Sequence, residues 1–261
     1  MYAYFNFTKL LAEKQFTMNE FVAELIGTML LILLGCSVVA NAILDKTKGN
    51  GGGWIVITTG WALGVFTGVT VASPFSGAHL NPAVTLALAL TGSFPWESVA
   101  TFITAQLVGA SLGALLVWLF YFQHFNETRD ADLKLAVFCT APAIKNPALN
   151  FFSEAVGTFV LVYAVLHVVH PEINDANGTV KVGMGSLGAV PVTLIVLAIG
   201  LSLGGTTGYA INPARDLGPR IIHSLVPIAG KRDSNWNYAW IPVVAPLFGA
   251  AIAVAVTLFI G

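Results

Sequence analysis

The chain has 261 residues, of which 56% are hydrophobic and only 10% are charged, and its formal net charge is −1. Such a charge balance offers no electrostatic attraction for nucleic acid, so a nucleic-acid partner is not expected. Between Lys48 and Glu127 the only charged residue is Glu97, and this stretch is too long and too apolar for the core of a soluble protein. Cys36 lies in an apolar run and Cys139 in a polar connection, which implies neither a disulfide framework nor a metal site of the CxxC type.

Six apolar runs have about the 20 residues that a helix needs to cross a membrane. In chain order, the predicted spans are Phe21–Leu44, Trp54–Ser73, Ser98–Phe120, Phe151–His170, Val182–Gly204 and Tyr238–Gly261. Two further apolar runs, Asn81–Leu90 and Asn212–Leu225, are too short to span and predict half-helices that enter from loops. The predicted fold is therefore an all-α membrane protein, a single domain over residues 1–261 with six transmembrane helices and two half-helices.

The two halves of the chain, about residues 18–124 and 149–261, repeat each other. Three segments of the first half have counterparts in the second: Phe21–Thr28 in Phe151–Thr158, Ser76–Asn81 in Thr207–Asn212, and Leu107–Ala110 in Leu247–Ala250. Each half has three predicted spans, which is an odd number, so the second half must be inverted in the membrane. Inverted repeats with interrupted helices place a permeation or binding site near the midplane, between the halves.

The tripeptide Asn-Pro-Ala begins both predicted half-helices, as Asn81, Pro82 and Ala83 and as Asn212, Pro213 and Ala214. One such tripeptide indicates only a helix start, because Asn is a good N-cap and Pro suits the first turn. A symmetric pair directs two sets of free N–H groups and two Asn side chains to one place. In lipid, such interrupted backbone is tolerated only where it is buried in protein or lines a water-filled cavity, so the pair predicts a pore.

The segments Ser76–Thr85 and Gly208–Asp216 resemble the signature of the aquaporin superfamily, the major intrinsic proteins. The resemblance covers nearly the whole chain, including the inverted repeat and the placement of Glu24 and Glu154 in the first and fourth spans. It implies a membrane channel rather than an enzyme, with no cofactor and no metal. It also implies a homotetramer with one pore per protomer, lying in the lipid bilayer of a cell membrane, such as a bacterial plasma membrane, with both termini in the cytoplasm.

Arg215 is the most informative single residue, because a guanidinium inside the membrane is costly unless it faces a watery cavity. There it would supply hydrogen-bond donors to a permeating oxygen and repel cations, whereas the alternative is that it pairs with Asp216. By resemblance, Arg215 forms the selectivity filter with Trp61, Gly200 and Tyr209. Water-selective members usually have Phe and His where this chain has Trp61 and Gly200, so the glycine is expected to leave space in the constriction.

Four further residues also resemble the glycerol-conducting branch of the family, the aquaglyceroporins or glycerol facilitators: Asp216, Arg220, Pro246 and Leu247. Tyr209 departs from the Phe of the bacterial glycerol facilitators, and its hydroxyl adds polarity and bulk. The expected function is passive diffusion of glycerol, similar small uncharged solutes and water, with ions and protons excluded. A water-selective aquaporin is the alternative within the family. A secondary transporter would share inverted repeats and broken helices but would also need a coupling site.

The loops that lead into the half-helices are expected to line the pore. Their free carbonyls would form a row of acceptors opposite an apolar wall, and this row comprises Gly77, Ala78 and His79 in the first half and Gly208, Tyr209 and Ala210 in the second. The amides of Asn81 and Asn212 would donate hydrogen bonds to a passing oxygen. Glu24 and Glu154 are expected to accept hydrogen bonds from these loops, the alternative being a proton relay.

The charges of the loops favour the opposite orientation to the one that the resemblance implies. With cytoplasmic termini, the inside would hold Lys9, Lys14 and Lys181, and the outside Lys46, Lys48, Arg129, Lys134, Lys145, Arg220, Lys231 and Arg232. The positive-inside rule would place the second group in the cytoplasm. We nevertheless expect the family orientation, because a motif match over the whole chain outweighs a statistical bias.

Overall fold

A computed structural model of the chain describes residues 18–169, 171–175 and 178–260. Its α-helices are α1 (Glu20–Ile43), α2 (Gly53–Ser76), α3 (Pro82–Leu90), α4 (Trp96–Phe120), α5 (Phe122–Glu127), α6 (Ala131–Ala136), α7 (Pro147–Leu166), α8 (Val190–Ser202), α9 (Pro213–Leu225) and α10 (Trp236–Ile260). Within the described ranges, six helical segments are long and apolar enough to cross a membrane, the fifth of them being Gly185–Ser202. With α3 and α9 as half-helices, this confirms the predicted fold class.

The fourth and fifth predicted spans depart most from the limits that the structure shows. The fourth begins at Pro147 rather than Phe151, because the Asn146 side chain accepts a hydrogen bond from the Leu149 N–H and caps the helix there. It ends at Leu166, whereas the predicted end, His170, lies outside the described residues.

The fifth span begins with a short 3₁₀ helix, Gly185–Ala189, before α8 starts at Val190. The prediction started this span at Val182, but three glycines in the segment weaken a regular α-helix, and Gly185 has a φ of +54°. Proline in the first turn of α8 then starts the regular helix, since the missing N–H of proline costs nothing there.

The connection between the fourth and fifth spans contains two short β-strands. Strands β1 (Glu172–Asp175) and β2 (Gly178–Lys181) pair antiparallel, with Glu172 opposite Lys181 and Asp175 opposite Gly178. This two-stranded ladder is the one sheet among the described residues. It lies in the connection between two spans and leaves the helical fold unchanged.

The half-helices connect the two halves, because each packs against a long helix of the other repeat. Helix α9 packs against α4 of the first half, and α3 packs against α10 of the second. Within each half, α1 packs on α2 and α4, and α7 packs on α10. The core is therefore shared between the repeats, and the starts of α3 and α9 meet at its centre.

Two symmetry-related glycines allow the long helices to approach closely. A Cβ added at Gly109 of α4 would lie 2.2 Å from the carbonyl oxygen of Leu25 in α1. A Cβ added at Gly249 of α10 would lie 2.2 Å from the carbonyl oxygen of Ala155 in α7. Small residues at such crossings are the usual means by which membrane helices pack backbone against backbone.

We expect Gly249→Ala to destabilise the protein by about 1–3 kcal/mol, because the added methyl meets a backbone atom that no side-chain rotation can move. Thermal denaturation in detergent micelles measures the effect. The matched control is Gly183→Ala, since a Cβ there has nothing within 4 Å. An equal shift of the melting temperature in both variants would contradict the close crossing.

Candidate functional site

Each half-helix starts with an asparagine that caps its own first turn. The Oδ1 atom of Asn81 accepts a hydrogen bond of 2.9 Å from the Ala83 N–H, and that of Asn212 accepts one of 3.0 Å from the Ala214 N–H. The proline that follows each asparagine occupies the first helical position, where its missing N–H costs nothing. The expected capping is thus present in both halves.

The same two side chains also tie the halves together. The amide nitrogen of Asn81 donates to the carbonyl oxygen of Ile211 at 2.9 Å, and that of Asn212 donates to the carbonyl oxygen of Leu80 at 2.9 Å. A side-chain amide has two N–H donors, so these bonds leave one donor on each side chain for a further acceptor. Asn81 and Asn212 both line one cavity. The second N–H of each side chain can therefore donate to an acceptor in that cavity.

The loops before the half-helices have left-handed backbone conformations at equivalent places. The φ angles are +55° at Ala78 and +51° at Leu80 in the first half, and +37° at Tyr209 and +44° at Ile211 in the second. Positive φ is uncommon for residues other than glycine and is a true outlier for a β-branched one. Such conformations persist only where the surrounding structure holds them.

Two fully buried carboxylates hold these loops. They accept equivalent backbone N–H groups, Glu24 those of His79 and Leu80 at 2.9 and 2.8 Å, and Glu154 those of Ala210 and Ile211 at 3.0 Å each. Hydrogen bonds to a carboxylate are stronger than those between neutral groups. The strained loops are therefore fixed to the first and fourth spans.

In the first half, a glutamine that the sequence reasoning missed extends this network. The Gln106 amide donates to Glu24 at 2.7 Å and to the Thr85 hydroxyl at 3.0 Å, and Ser76 donates to Glu24 at 2.7 Å. The Thr85 hydroxyl also lies 3.1 Å from Nδ1 of His79. The one amide side chain in the apolar run of α4 was the available signal, and its position in the repeat matches Pro246.

In the second half, Asp216 and Arg220 form a fully buried ion pair. The Nε and one terminal nitrogen of Arg220 donate to the two carboxylate oxygens of Asp216 at 2.7 and 2.9 Å. The Thr140 N–H and hydroxyl donate to the same carboxylate at 2.8 and 2.6 Å, and Arg220 also donates to the Ser234 carbonyl. The partners of Asp216 are thus Arg220 and Thr140, and Arg215 points elsewhere.

We expect Asp216→Asn to destabilise the protein by about 3–5 kcal/mol, because it leaves the guanidinium of Arg220 buried without a counter-charge. Thermal denaturation in detergent micelles measures the loss. The matched control is Asp132→Asn, which removes an exposed partner of Arg232 and should change little. If both variants melt like the unmodified protein, the buried pair does not stabilise the fold.

The guanidinium of Arg215 lies 3.8 Å from the centre of the Trp61 ring, within the range of a cation–π contact. Trp61, Tyr209 and Arg215 are all buried, and all three line the same cavity as Asn81 and Asn212. Three of the four predicted filter residues are thus brought together beside the meeting point of the half-helices.

Gly200, the fourth predicted filter residue, differs from the expectation. Its missing side chain was expected to leave space in the constriction, but a Cβ there would lie 3.0 Å from Cζ and 3.1 Å from the hydroxyl of Tyr209. A methyl of Thr58 would also lie at 3.0 Å. The space beside Gly200 is therefore filled by the tyrosine ring, and Gly200 lies buried behind it.

The cavity has a volume of about 290 Å³. Of the predicted row of carbonyl residues, its lining includes Gly77, Ala78, His79, Tyr209 and Ala210. The lining also includes five valines: Val65, Val69, Val165, Val192 and Val196. Such a lining suits a solute with hydroxyls on one edge and carbons on the other.

Gly208, Pro246 and Leu247, which the sequence also singled out, lie away from this cavity. Gly208 lies against Thr140. Pro246 is buried within α10, and Leu247 packs against a cluster that contains Ala83 and Ala87 of α3. Leu247 therefore supports a half-helix rather than touches a solute.

The fold and the site together define a multi-pass membrane protein whose inverted halves enclose a cavity where two half-helices meet. The family model described as Major intrinsic protein matches residues 11–257, and the chain belongs to this family.

Relatives and a solved structure resemble the chain over nearly its full length. A "Probable glycerol uptake facilitator protein" of Thermotoga maritima is 50% identical over 235 residues, which cover 90% of this chain and 96% of the relative. A "Glycerol uptake facilitator protein" of Streptococcus pneumoniae is 53% identical over 239 residues, which cover 92% and 98%. The X-ray structure of the aquaglyceroporin from Plasmodium falciparum has a TM-score of 0.77 at 33% identity, over 90% of this chain and 93% of that one.

Proposed function

We propose that this protein is a channel for the passive diffusion of glycerol, similar small uncharged solutes and water, and that it excludes ions and protons. The observation that carries the proposal is the joined pair of half-helix starts beside Arg215 and Trp61, facing one cavity. The names of the relatives from Thermotoga maritima and Streptococcus pneumoniae, both glycerol uptake facilitators, support the solute.

Exclusion of cations follows from the charges that face the cavity. The starts of α3 and α9 carry partial positive charge, and the guanidinium of Arg215 adds a full one. Glu24 and Glu154 accept hydrogen bonds from the loop backbone and are not exposed to the cavity, which speaks against a coupling site of a secondary transporter. A neutral solute meets none of this repulsion.

Glycerol rather than water alone is supported by the shape of the filter. The rings of Trp61 and Tyr209 line the cavity and can contact the carbon edge of a solute, while Arg215 and the free donors of Asn81 and Asn212 receive its oxygens. The histidine that water-selective members usually carry is absent at Gly200. Selection at a narrow pore depends on its diameter and on its donors and acceptors. Donors and aromatic rings lining the same cavity favour a polyol.

We expect the purified protein in liposomes to raise the permeability of the vesicles to glycerol and to water without raising their proton conductance. Stopped-flow light scattering with a water gradient and then a glycerol gradient measures the two fluxes. A pH-sensitive dye inside the same vesicles measures protons. Water flux without glycerol flux would favour the water-selective alternative, and a proton current would contradict the exclusion mechanism.

We expect Arg215→Val to let protons or monovalent cations leak while glycerol still passes, because the variant removes the fixed charge and widens the filter. Valine is the residue at the equivalent place of the first repeat, Val84, so the substitution makes the two halves alike. The control is Arg232→Val on the surface, where the guanidinium pairs with the exposed carboxylate of Asp132. If the Arg215→Val channel conducts neither protons nor cations, another part of the pore must exclude them.

The proposed setting is a bacterial plasma membrane, with cytoplasmic termini and four protomers per assembly, each with its own pore. Several positive charges that this orientation places outside have structural partners, which accounts for their number on that face. Lys46 pairs with Glu127 and Arg232 with Asp132. Lys231 donates to three carbonyls at the C-terminal end of α9, where a cation suits the helix dipole.

Native mass spectrometry counts the protomers, and a monomeric mass would contradict the tetramer.

The orientation predicts which face of intact cells a membrane-impermeant thiol reagent reaches. Lys48→Cys should be labelled from outside and Gly183→Cys only after the cells are opened, since both positions are exposed on opposite connections. The two native thiols, Cys36 and Cys139, are buried and give a low background. The reverse labelling pattern would show that the positive-inside rule was the better guide.

A further inference from the structure

The ring of Tyr209 lies in a notch that two glycines and a tryptophan form behind the filter. A Cβ at Gly204 would lie 2.3 Å from Cδ1 of Tyr209, and one at Gly200 would lie 3.0 Å from its Cζ. The ring of Trp54 meets that of Tyr209 edge-on, with centroids 5.9 Å apart and planes at 79°. Tyr209 lines the cavity, so these residues stand between it and the rest of the protein.

Trp54 also forms a hydrogen bond to one of the two glycines of this notch. Its indole N–H donates to the carbonyl oxygen of Gly200 at 2.9 Å. Gly200 lies in the last turn of α8, where carbonyls lack partners within the helix. The bond therefore joins the start of α2 to the end of α8 directly behind the tyrosine.

Packing rather than hydrogen bonding holds the side chain of Tyr209. Its hydroxyl is buried and has no hydrogen-bond partner in the described part of the chain. Its φ of +37° is a strained conformation for a residue with a side chain. The position of the ring is thus set by packing against Trp54, Gly200 and Gly204.

We infer that Trp54 and Gly204 are positioning residues that set the width of the filter by holding Tyr209 in this notch. The inference rests on the proposed function, since it concerns which neutral solutes pass. It also makes a directional statement. A larger residue at position 204 drives the ring towards the cavity, whereas a smaller one at position 54 lets the ring withdraw.

The test compares solute ratios in proteoliposomes, because a ratio measured in one vesicle preparation does not depend on how much channel is present. We expect Gly204→Ala to lower the glycerol-to-water permeability ratio by about tenfold, the low end of the effect of one methylene in a close-fitting site. We expect Trp54→Ala to raise the ratio for a five-carbon polyol relative to glycerol by about the same factor. Trp54→Phe, which keeps a ring but loses the N–H, should shift the ratio in the same direction by less.

Three controls separate positioning from general damage. Gly205→Ala adds the same methyl at the neighbouring position, where nothing lies within 4 Å, and should leave both ratios unchanged. Trp236→Ala removes an exposed tryptophan from the start of α10 and should do the same. Gly183→Ala adds a methyl outside the cavity lining, where nothing lies within 4 Å, and should also leave both ratios unchanged.

The outcomes distinguish this inference from the proposed function. If a variant assembles poorly, all its fluxes fall together, but the solute ratios of the channels that remain can still be measured. Trp54→Phe is the milder variant for this purpose. If neither Gly204→Ala nor Trp54→Ala changes its ratio, the positioning roles are overturned. The same holds if both variants move the preference between smaller and larger solutes in the same direction. If the unmodified protein passes no glycerol, the proposed function fails, and the same variants are scored with urea against water as the size ratio.

Discussion

Hydrogen bonds from two strained loops to two buried carboxylates are the constraint on which the rest of the site depends. Four residues with side chains adopt positive φ at equivalent places of the repeats, and each such conformation costs on the order of 1–3 kcal/mol. Glu24 and Glu154 offset this cost by accepting the N–H groups that the loops turn inward. With the loops fixed, Asn81 and Asn212 reach across to the opposite half, and the two half-helix starts are held at one point.

The repeats share this scaffold but differ in what they attach to it. Where the first half has Val84 and Thr85, the second has Arg215 and Asp216. The first network therefore runs through the neutral side chain of Gln106, whereas the second includes the ion pair of Asp216 with Arg220. Symmetry supplies the meeting point of the half-helices, and the asymmetry places a fixed positive charge on one side of it.

The sequence predicted the spans, the half-helices and the repeat well, because long apolar runs and paired motifs are local signals. Helix limits were less secure. Asn146-Pro147-Ala148 is a third copy of the tripeptide, and in the structure it only caps α7, at the end of a polar connection. The same three residues thus start a transmembrane helix in one place and a half-helix at the cavity in two others. The preceding apolar run, rather than the tripeptide, distinguishes them.

The proposed filter shows why a prediction made from single residues is wrong where two residues compete for the same space. Taken alone, Gly200 predicts an opening, but the opening is occupied by Tyr209, which comes from a different segment and from a strained loop. On the proposed assignment, the width of the constriction would depend on both residues and on Trp54 and Gly204, which lie against Tyr209. No pattern in the sequence reports this contact, because it arises only when the end of α8 and the loop before α9 are folded against each other. The role of a glycine in such a site is therefore clear only when the side chain that packs against it is known.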